Sequence, residues 1–165
     1  MTGHRIYARH SGVETAERLS CPLIKRCVRR ALSIEGVGAQ CEVSVLITDD
    51  CGIRNINTAY RGIDSPTDVL SFPAQDFSPP GWADPGPRAI EPETGCVPLG
   101  EIVLSAQRVR LQAAEYGHPP EHETVYLVIH SVLHLLGYDH TDEAEGKKAM
   151  RAREKKIMLE MGYDK

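Results

Sequence analysis

The stretch that most constrains the fold is HSVLHLLGYDH, residues 130–140. It follows a run of apolar residues that covers nearly the whole circumference of a helix, so we predict a buried helix over residues 120–136. His130 and His134 are four residues apart and therefore lie one turn apart on the same helix face. Buried imidazoles need partners for their ring nitrogens. The chain must therefore bury this helix and still supply a polar partner to both histidines.

The same stretch has the ligand set of a metal site. Gly137 can end the helix in a left-handed conformation that other residues avoid. The chain can then turn back and present His140 to the point that His130 and His134 face. Three neutral imidazoles with an open fourth position are typical of a catalytic zinc site. We therefore predict one Zn²⁺ per chain, held by these three histidines, although nickel, iron and cobalt also accept imidazole.

The histidine spacing is also that of the metzincin peptidases, with one difference. Those enzymes carry a glutamate as general base after the first histidine, and this chain has Ser131. The nearby acids Asp139, Asp142 and Glu143 come after the predicted helix has ended. A metallopeptidase is therefore the second hypothesis, because it keeps the metal but loses the base. Asp139 itself has two interpretations, a carboxylate that orients a metal ligand or a turn-forming residue.

Size, charge and cysteine usage narrow the class of protein. We predict a single domain over residues 1–165. The net charge of −4 argues against a broad basic surface for nucleic acid, although it leaves room for a local phosphate site. No apolar run is long enough for a signal peptide or a membrane span. Together with five scattered cysteines, this predicts reduced thiols and a cytoplasmic location.

Hydrophobic periodicity and capping residues predict strands first and helices mostly later, which is an α+β order. The predicted strands cover residues 6–7, 41–48, 69–72 and 99–104. The predicted helices cover residues 22–35, a short segment capped by Asp49 or Asp50, and residues 106–116, 120–136 and about 141–161. Residues 74–98 have no periodicity and are either disordered or functional. We interpret His4, His10, His118 and His122 as surface residues.

Three separated blocks of the chain carry a combined motif. The first block comprises His130, Leu133, His134, Leu135, Gly137, Tyr138, Asp139 and His140; the second Asn57, Tyr60, Arg61, Thr67, Val69, Leu70, Ser71, Phe72 and Pro73; the third Leu99, Gly100, Ile102 and Ser105. In these blocks the chain resembles the YbeY family of bacterial endoribonucleases, and the helix after His140, with Met150 and Glu154, also fits. Two positions depart from the family pattern: Ser131 stands where glycine is usual, and Glu101 where aspartate is usual.

The resemblance implies a fold, an activity and partners. The fold is a single α+β domain whose central mixed sheet is packed with helices and whose buried helix carries two metal histidines. The activity is that of a cytoplasmic, metal-dependent endoribonuclease of single-stranded RNA, acting in ribosomal RNA processing (16S rRNA 3′ end maturation) and ribosome quality control. The implied partners are ribosomal RNA, the small ribosomal subunit with one of its proteins, and the GTPase Era; no membrane is implied.

The resemblance also gives weight to Arg61. A guanidinium can hold a phosphate through two parallel hydrogen bonds and stabilise charge that develops on it. Taken alone, Arg61 reads as a surface residue before a turn at Gly62. With the resemblance, we predict Arg61 and His130 as catalytic residues, and the general base stays unassigned. A third hypothesis is a non-enzymatic ribosome-assembly factor whose metal only stabilises the fold.

Overall fold

One sheet and five α-helices make up the part of the chain that the structure, a computed structural model, describes: residues 3–139 and 144–163. The strands are β1 (Arg5–His10), β2 (Cys41–Thr48), β3 (Val69–Pro73) and β4 (Val97–Ser105). The helices are α1 (Cys21–Ile34), α2 (Asp50–Arg61), α3 (Ala106–Tyr116), α4 (Pro120–Leu135) and α5 (Ala144–Glu160). Every predicted strand and helix has a counterpart here, so the predicted α+β class is confirmed.

The sheet is mixed, with strand order β1-β2-β4-β3. The first three strands are parallel, and β3 runs antiparallel to β4 at the edge. The alternation in β2 places Val43, Val45 and Ile47 on one buried face, each no more than 2% exposed. Because the helices cover this face of the sheet, the sheet supports the elements that carry the site.

Helix α2 is bounded by two local signals. The carboxylate of Asp49 accepts a hydrogen bond from the Gly52 backbone N–H at 2.7 Å, which caps the first turn. Gly62 ends the helix in the left-handed region, with φ of 69°. The helix is longer than the short segment that the sequence predicted, and its last residue is Arg61. This position matters because the final turn of α2 borders the cleft described below.

Helix α4 is the buried centre of the helical layer, as predicted. Val125, Val128, Ile129 and Val132 are fully buried, and the helix packs against α1, α3, α5 and β3. Because these elements surround α4, its sequence is apolar on nearly every face. Among the described residues, no helix is both long and apolar enough to cross a bilayer.

Residues 74–98 were predicted as a disordered or functional loop. Residues 97 and 98 belong to β4, and the remaining segment, 74–96, packs against the end of α4. Phe77 is buried and contacts Trp82 with ring centroids 5.7 Å apart. The Gly81 backbone N–H donates to the Leu136 carbonyl at 2.9 Å. The Gly81–Leu136 bond joins residues far apart in the chain, so local periodicity could not reveal it. The first part of the segment forms a wall of the cleft beside α4.

Candidate metal centre

His130 and His134 lie side by side on the face of α4 that borders an open cleft. Their Nε2 atoms are 3.1 Å apart, and their rings meet edge to face with an interplanar angle of 87°. The side chain of His130 is 16% exposed, so the pair is largely shielded but reachable from solvent. The four-residue spacing thus brings both rings to one point, as the sequence predicted for these two residues.

The other ring nitrogen of each histidine has an acceptor. His134 Nδ1 donates to the Tyr138 backbone carbonyl at 2.8 Å. His130 Nδ1 lies 2.5 Å from the Glu154 carboxylate. A carbonyl and an ionised carboxylate only accept, so both Nδ1 atoms carry the hydrogen. In the neutral imidazoles, both Nε2 lone pairs therefore face the same place.

Two lone pairs at this separation repel unless a positive charge lies between them, either a proton or a metal ion. A tetrahedral zinc ion about 2.0–2.1 Å from each nitrogen separates two ligands by about 3.3 Å. The observed 3.1 Å between the Nε2 atoms fits such an ion. His140, the third predicted ligand, lies outside the described residues. Within those residues, no group of three or more His, Cys, Asp or Glu side chains is arranged to hold a metal.

The cleft beside the histidines has a volume of about 1550 Å³. Its walls come from the end of α2, strand β3, the start of the 74–96 segment, α4, the turn after α4 and the first turns of α5. Arg61, His130, His134 and Asp139 all line it. The structure therefore brings every predicted site residue that it describes to one cleft.

Arg61 is held at the cleft by two contacts with β3. Its Nη2 donates to the Ser71 carbonyl at 2.8 Å, and its guanidinium lies over the Phe72 ring at 5.1 Å. Tyr60 also contacts Phe72, with ring centroids 5.5 Å apart and an interplanar angle of 65°. A guanidinium has five N–H donors, so the Ser71 bond leaves donors for a ligand.

Sequence reasoning assigned no role to Tyr126 and Glu154, which complete the surroundings of His130. Glu154 is 2% exposed, and its Oε1 accepts from the Tyr126 hydroxyl at 3.3 Å. Burial is the main cause that raises the pKa of this hydroxyl, which therefore remains a donor. One signal was present: Glu154 stands between Met150 and Ile157 on the apolar stripe of α5, where an acid is unusual.

The two departures from the family pattern lie away from the cleft. Ser131 is fully buried, and its hydroxyl has no hydrogen-bond partner among the described residues. It does not line the cleft, so this position of α4 does not offer a group to the bordering histidines. Glu101 is exposed on β4, opposite Phe72 of β3. Neither side chain therefore contributes to the walls of the site.

The family model and the curated relatives identify one family. The family model described as Endoribonuclease YbeY matches residues 6–162. The Endoribonuclease YbeY of Roseiflexus sp. (strain RS-1) is 44% identical over 143 residues, covering 87% of this chain and 84% of the relative. That of Caldanaerobacter subterraneus is 44% identical over 140 residues, covering 85% and 86%. The solution structure of TM1509 from Thermotoga maritima covers 94% and 91%, with a TM-score of 0.56 and 23% identity, which shows a likeness of fold.

Proposed function

The chain belongs to the Endoribonuclease YbeY family, and from this premise we propose that it is a metal-dependent endoribonuclease of single-stranded RNA in ribosomal RNA processing. The observation that carries the proposal is the pair of Nε2 atoms, 3.1 Å apart, on a cleft that Arg61 also lines. Family membership does not favour the metallopeptidase or the non-catalytic alternative.

One Zn²⁺ per chain is proposed to bind His130, His134 and His140. The support is the donor set: both described histidines keep their Nδ1 hydrogens on protein acceptors and turn Nε2 toward each other. His140 is included as a ligand because of its spacing from His130 and His134 in the sequence. When bound, such an ion supplies a Lewis acid for a phosphoryl oxygen and lowers the pKa of a water molecule. His130 is thereby proposed as a catalytic residue, as a ligand of that ion.

Arg61 is proposed to bind the phosphate at the scissile bond. Its contacts with Ser71 and Phe72 restrict the side chain before RNA arrives, so less conformational entropy is lost on binding. Its remaining N–H donors can hold two phosphate oxygens in parallel. Charge that develops on those oxygens during cleavage is then stabilised by a fixed cation.

The biological setting is proposed from family membership. We assign the protein to the cytoplasm, to 16S rRNA 3′ end maturation and to ribosome quality control. The proposed partners are the small ribosomal subunit, one of its proteins and the GTPase Era. Pull-down of the small subunit from a lysate by the tagged protein, compared with the tag alone, tests this assignment.

The test of the activity is cleavage of a labelled single-stranded RNA beside the same sequence as a duplex. We expect cleavage of the single strand, loss of cleavage with a chelator, and about one metal ion per chain by elemental analysis. His134→Ala is expected to lose both the metal and the activity. A variant that cleaves as fast as the wild-type protein would show that a contaminant is responsible.

A further inference from the structure

Helix α5 contacts His130 of the candidate metal centre through a buried carboxylate. Glu154 is 2% exposed, and its two oxygens have different partners. Oε2 lies 2.5 Å from His130 Nδ1, and Oε1 accepts from the Tyr126 hydroxyl at 3.3 Å. Burying an ionised carboxylate is costly unless its oxygens are hydrogen-bonded. Both bonds go to residues of α4 that border the cleft.

The carboxylate decides which nitrogen of His130 is available to a ligand. Because it accepts from Nδ1, the hydrogen stays there and the lone pair of Nε2 faces His134. His134 is fixed in the same tautomer, but by the neutral carbonyl of Tyr138. A carboxylate partner also makes an imidazole a stronger electron donor than a carbonyl partner does. The two histidines therefore differ in the charge of the group that accepts from Nδ1.

We propose that Glu154 is a positioning residue of the metal centre, which fixes the tautomer and ring orientation of His130, and that Tyr126 orients this carboxylate. The inference rests on the proposed function, because it needs His130 as a metal ligand. Glu154 acts through His130 and does not itself contact the metal or the RNA.

Attachment of α5 does not depend on Glu154 alone. Arg153, its neighbour, donates through Nε to the Glu35 carboxylate at 2.8 Å. Met150, Ile157 and Met158 are at most 1% exposed and pack the same helix into the core. A role limited to holding the helix would therefore be shared with these residues, whereas the bond to His130 Nδ1 belongs to Glu154.

The first test measures Zn²⁺ affinity of the full chain by competition with a chromophoric chelator. Glu154→Gln keeps the size of the side chain but removes the charge, and its amide can either accept from or donate to Nδ1. We expect affinity to fall about 10- to 100-fold. Ile157→Val, one turn further along α5, is the matched control: it should lower the unfolding temperature of the metal-free protein but leave Zn²⁺ affinity unchanged.

The second test reads the tautomer directly in metal-free protein. Two-bond ¹H–¹⁵N NMR at about pH 8, above the ordinary imidazole pKa, should show the Nδ1-H form of His130 in the wild type and in Ile157→Val. Glu154→Gln should show a mixture of both tautomers. Tyr126→Phe, which keeps the carboxylate, should retain the tautomer and lose only a few-fold in affinity; this variant carries the test if Glu154→Gln does not fold.

The outcomes distinguish failure of the positioning role from failure of the proposed function. Wild-type protein that binds no Zn²⁺ overturns the proposed metal centre, and the positioning role with it. Wild-type protein that binds Zn²⁺, with Glu154→Gln and Tyr126→Phe binding equally tightly, overturns the positioning role alone. An unchanged His130 tautomer in Glu154→Gln overturns it as well.

Discussion

At the scale of single residues, Arg61 is defined more by its contacts than by its position in the sequence. Its place in the last turn of α2 leaves its direction open, because a long side chain there can reach solvent on several sides. The Ser71 carbonyl and the Phe72 ring select one of these directions. That selection keeps the guanidinium at the wall of the cleft. A positive charge without the guanidinium group should therefore not substitute for Arg61.

We predict that Arg61→Ala lowers kcat/KM for single-stranded RNA about 100-fold or more, because a fixed donor to the transition-state charge is lost. Arg61→Lys should recover little, since an ammonium lacks the planar fork. Both variants should melt near the wild-type temperature, because the side chain is exposed. Steady-state cleavage of a labelled oligonucleotide and thermal unfolding measure the two effects.

Arg54→Ala provides the matched control for this prediction. Arg54 is on the same helix and pairs with Asp64 at 2.7 Å, but it does not line the cleft. The Arg54→Ala variant should cleave RNA at close to the wild-type rate, because an exposed ion pair contributes little to stability. If Arg61→Ala is as active as Arg54→Ala, the phosphate-binding role is wrong.

The residues of the site differ in how far the sequence could reveal them. His130 and His134 were predictable together, since the helical period alone puts them on one face. The bond of Glu154 to His130 was not, because it joins residues 24 apart and depends on how α5 packs on α4. His4 and His10 were predicted as surface residues, a prediction that could not show which backbone groups they contact. Both are half-buried acceptors of backbone hydrogen bonds.

At the scale of elements, the turn after α4 and the 74–96 segment are fitted to each other at Gly137. This glycine has φ of 95°, and a Cβ there would lie 2.3 Å from the Phe77 carbonyl oxygen. The turn also brings the Tyr138 carbonyl to His134 Nδ1. One glycine therefore controls both the packing of the cleft wall and the tautomer of a predicted ligand.

We predict that Gly137→Ala lowers the free energy of unfolding by about 2–4 kcal/mol, through backbone strain and the displaced Phe77. Zn²⁺ affinity should fall too, since the carbonyl that orients His134 moves. Gly117→Ala is the control: it has φ of 71° at the end of α3, but its Cβ would meet no described atom within 4 Å. Urea unfolding should give a loss of about 1 kcal/mol there, with unchanged metal affinity. Equal losses of stability in both variants would contradict the predicted clash between a Cβ at position 137 and the Phe77 carbonyl oxygen.

The elements were predictable wherever a local signal bounded them. Ser105 as cap and Gly117 as stop bracket α3, and its observed bounds match the prediction. The 74–96 segment had no such signal, because Phe77 lies close to Gly137 in the turn after α4, which is distant in the sequence. The predicted start of α5 at residue 141 or 142 lies outside the described residues.

At the scale of the whole molecule, two histidines fasten the N-terminal strand to the rest of the fold. His4 Nδ1 accepts from the backbone N–H of Cys41, the first residue of β2, at 3.0 Å. His10 Nε2 accepts from the Leu19 backbone N–H at 3.1 Å, just before α1. Each bond needs an imidazole lone pair, and protonation removes it. These two bonds, which add to the pairing of β1 with β2, therefore depend on neutral histidines.

We predict that the fold loses stability as the pH falls below about 6.5. Burial, aided by Arg29, lowers the pKa of His4 from 6.5; burial, aided by Arg18, lowers that of His10 from the same value. Between this ordinary value and the lower folded one, the unfolded chain binds more protons, so acid favours unfolding. Above about pH 7 the two groups are neutral in both states and add no pH dependence.

Urea unfolding at pH values from about 7.5 to 5 measures this effect. Replacing both residues, His4→Gln with His10→Gln, keeps a neutral acceptor at each position, so the variant should lose less stability on acidification than the wild type. His118→Gln, a histidine outside this attachment, should keep the wild-type slope. NMR titration of the His4 and His10 rings should give midpoints below 6.5. Midpoints at or above that value would mean that β1 is not held by neutral imidazoles.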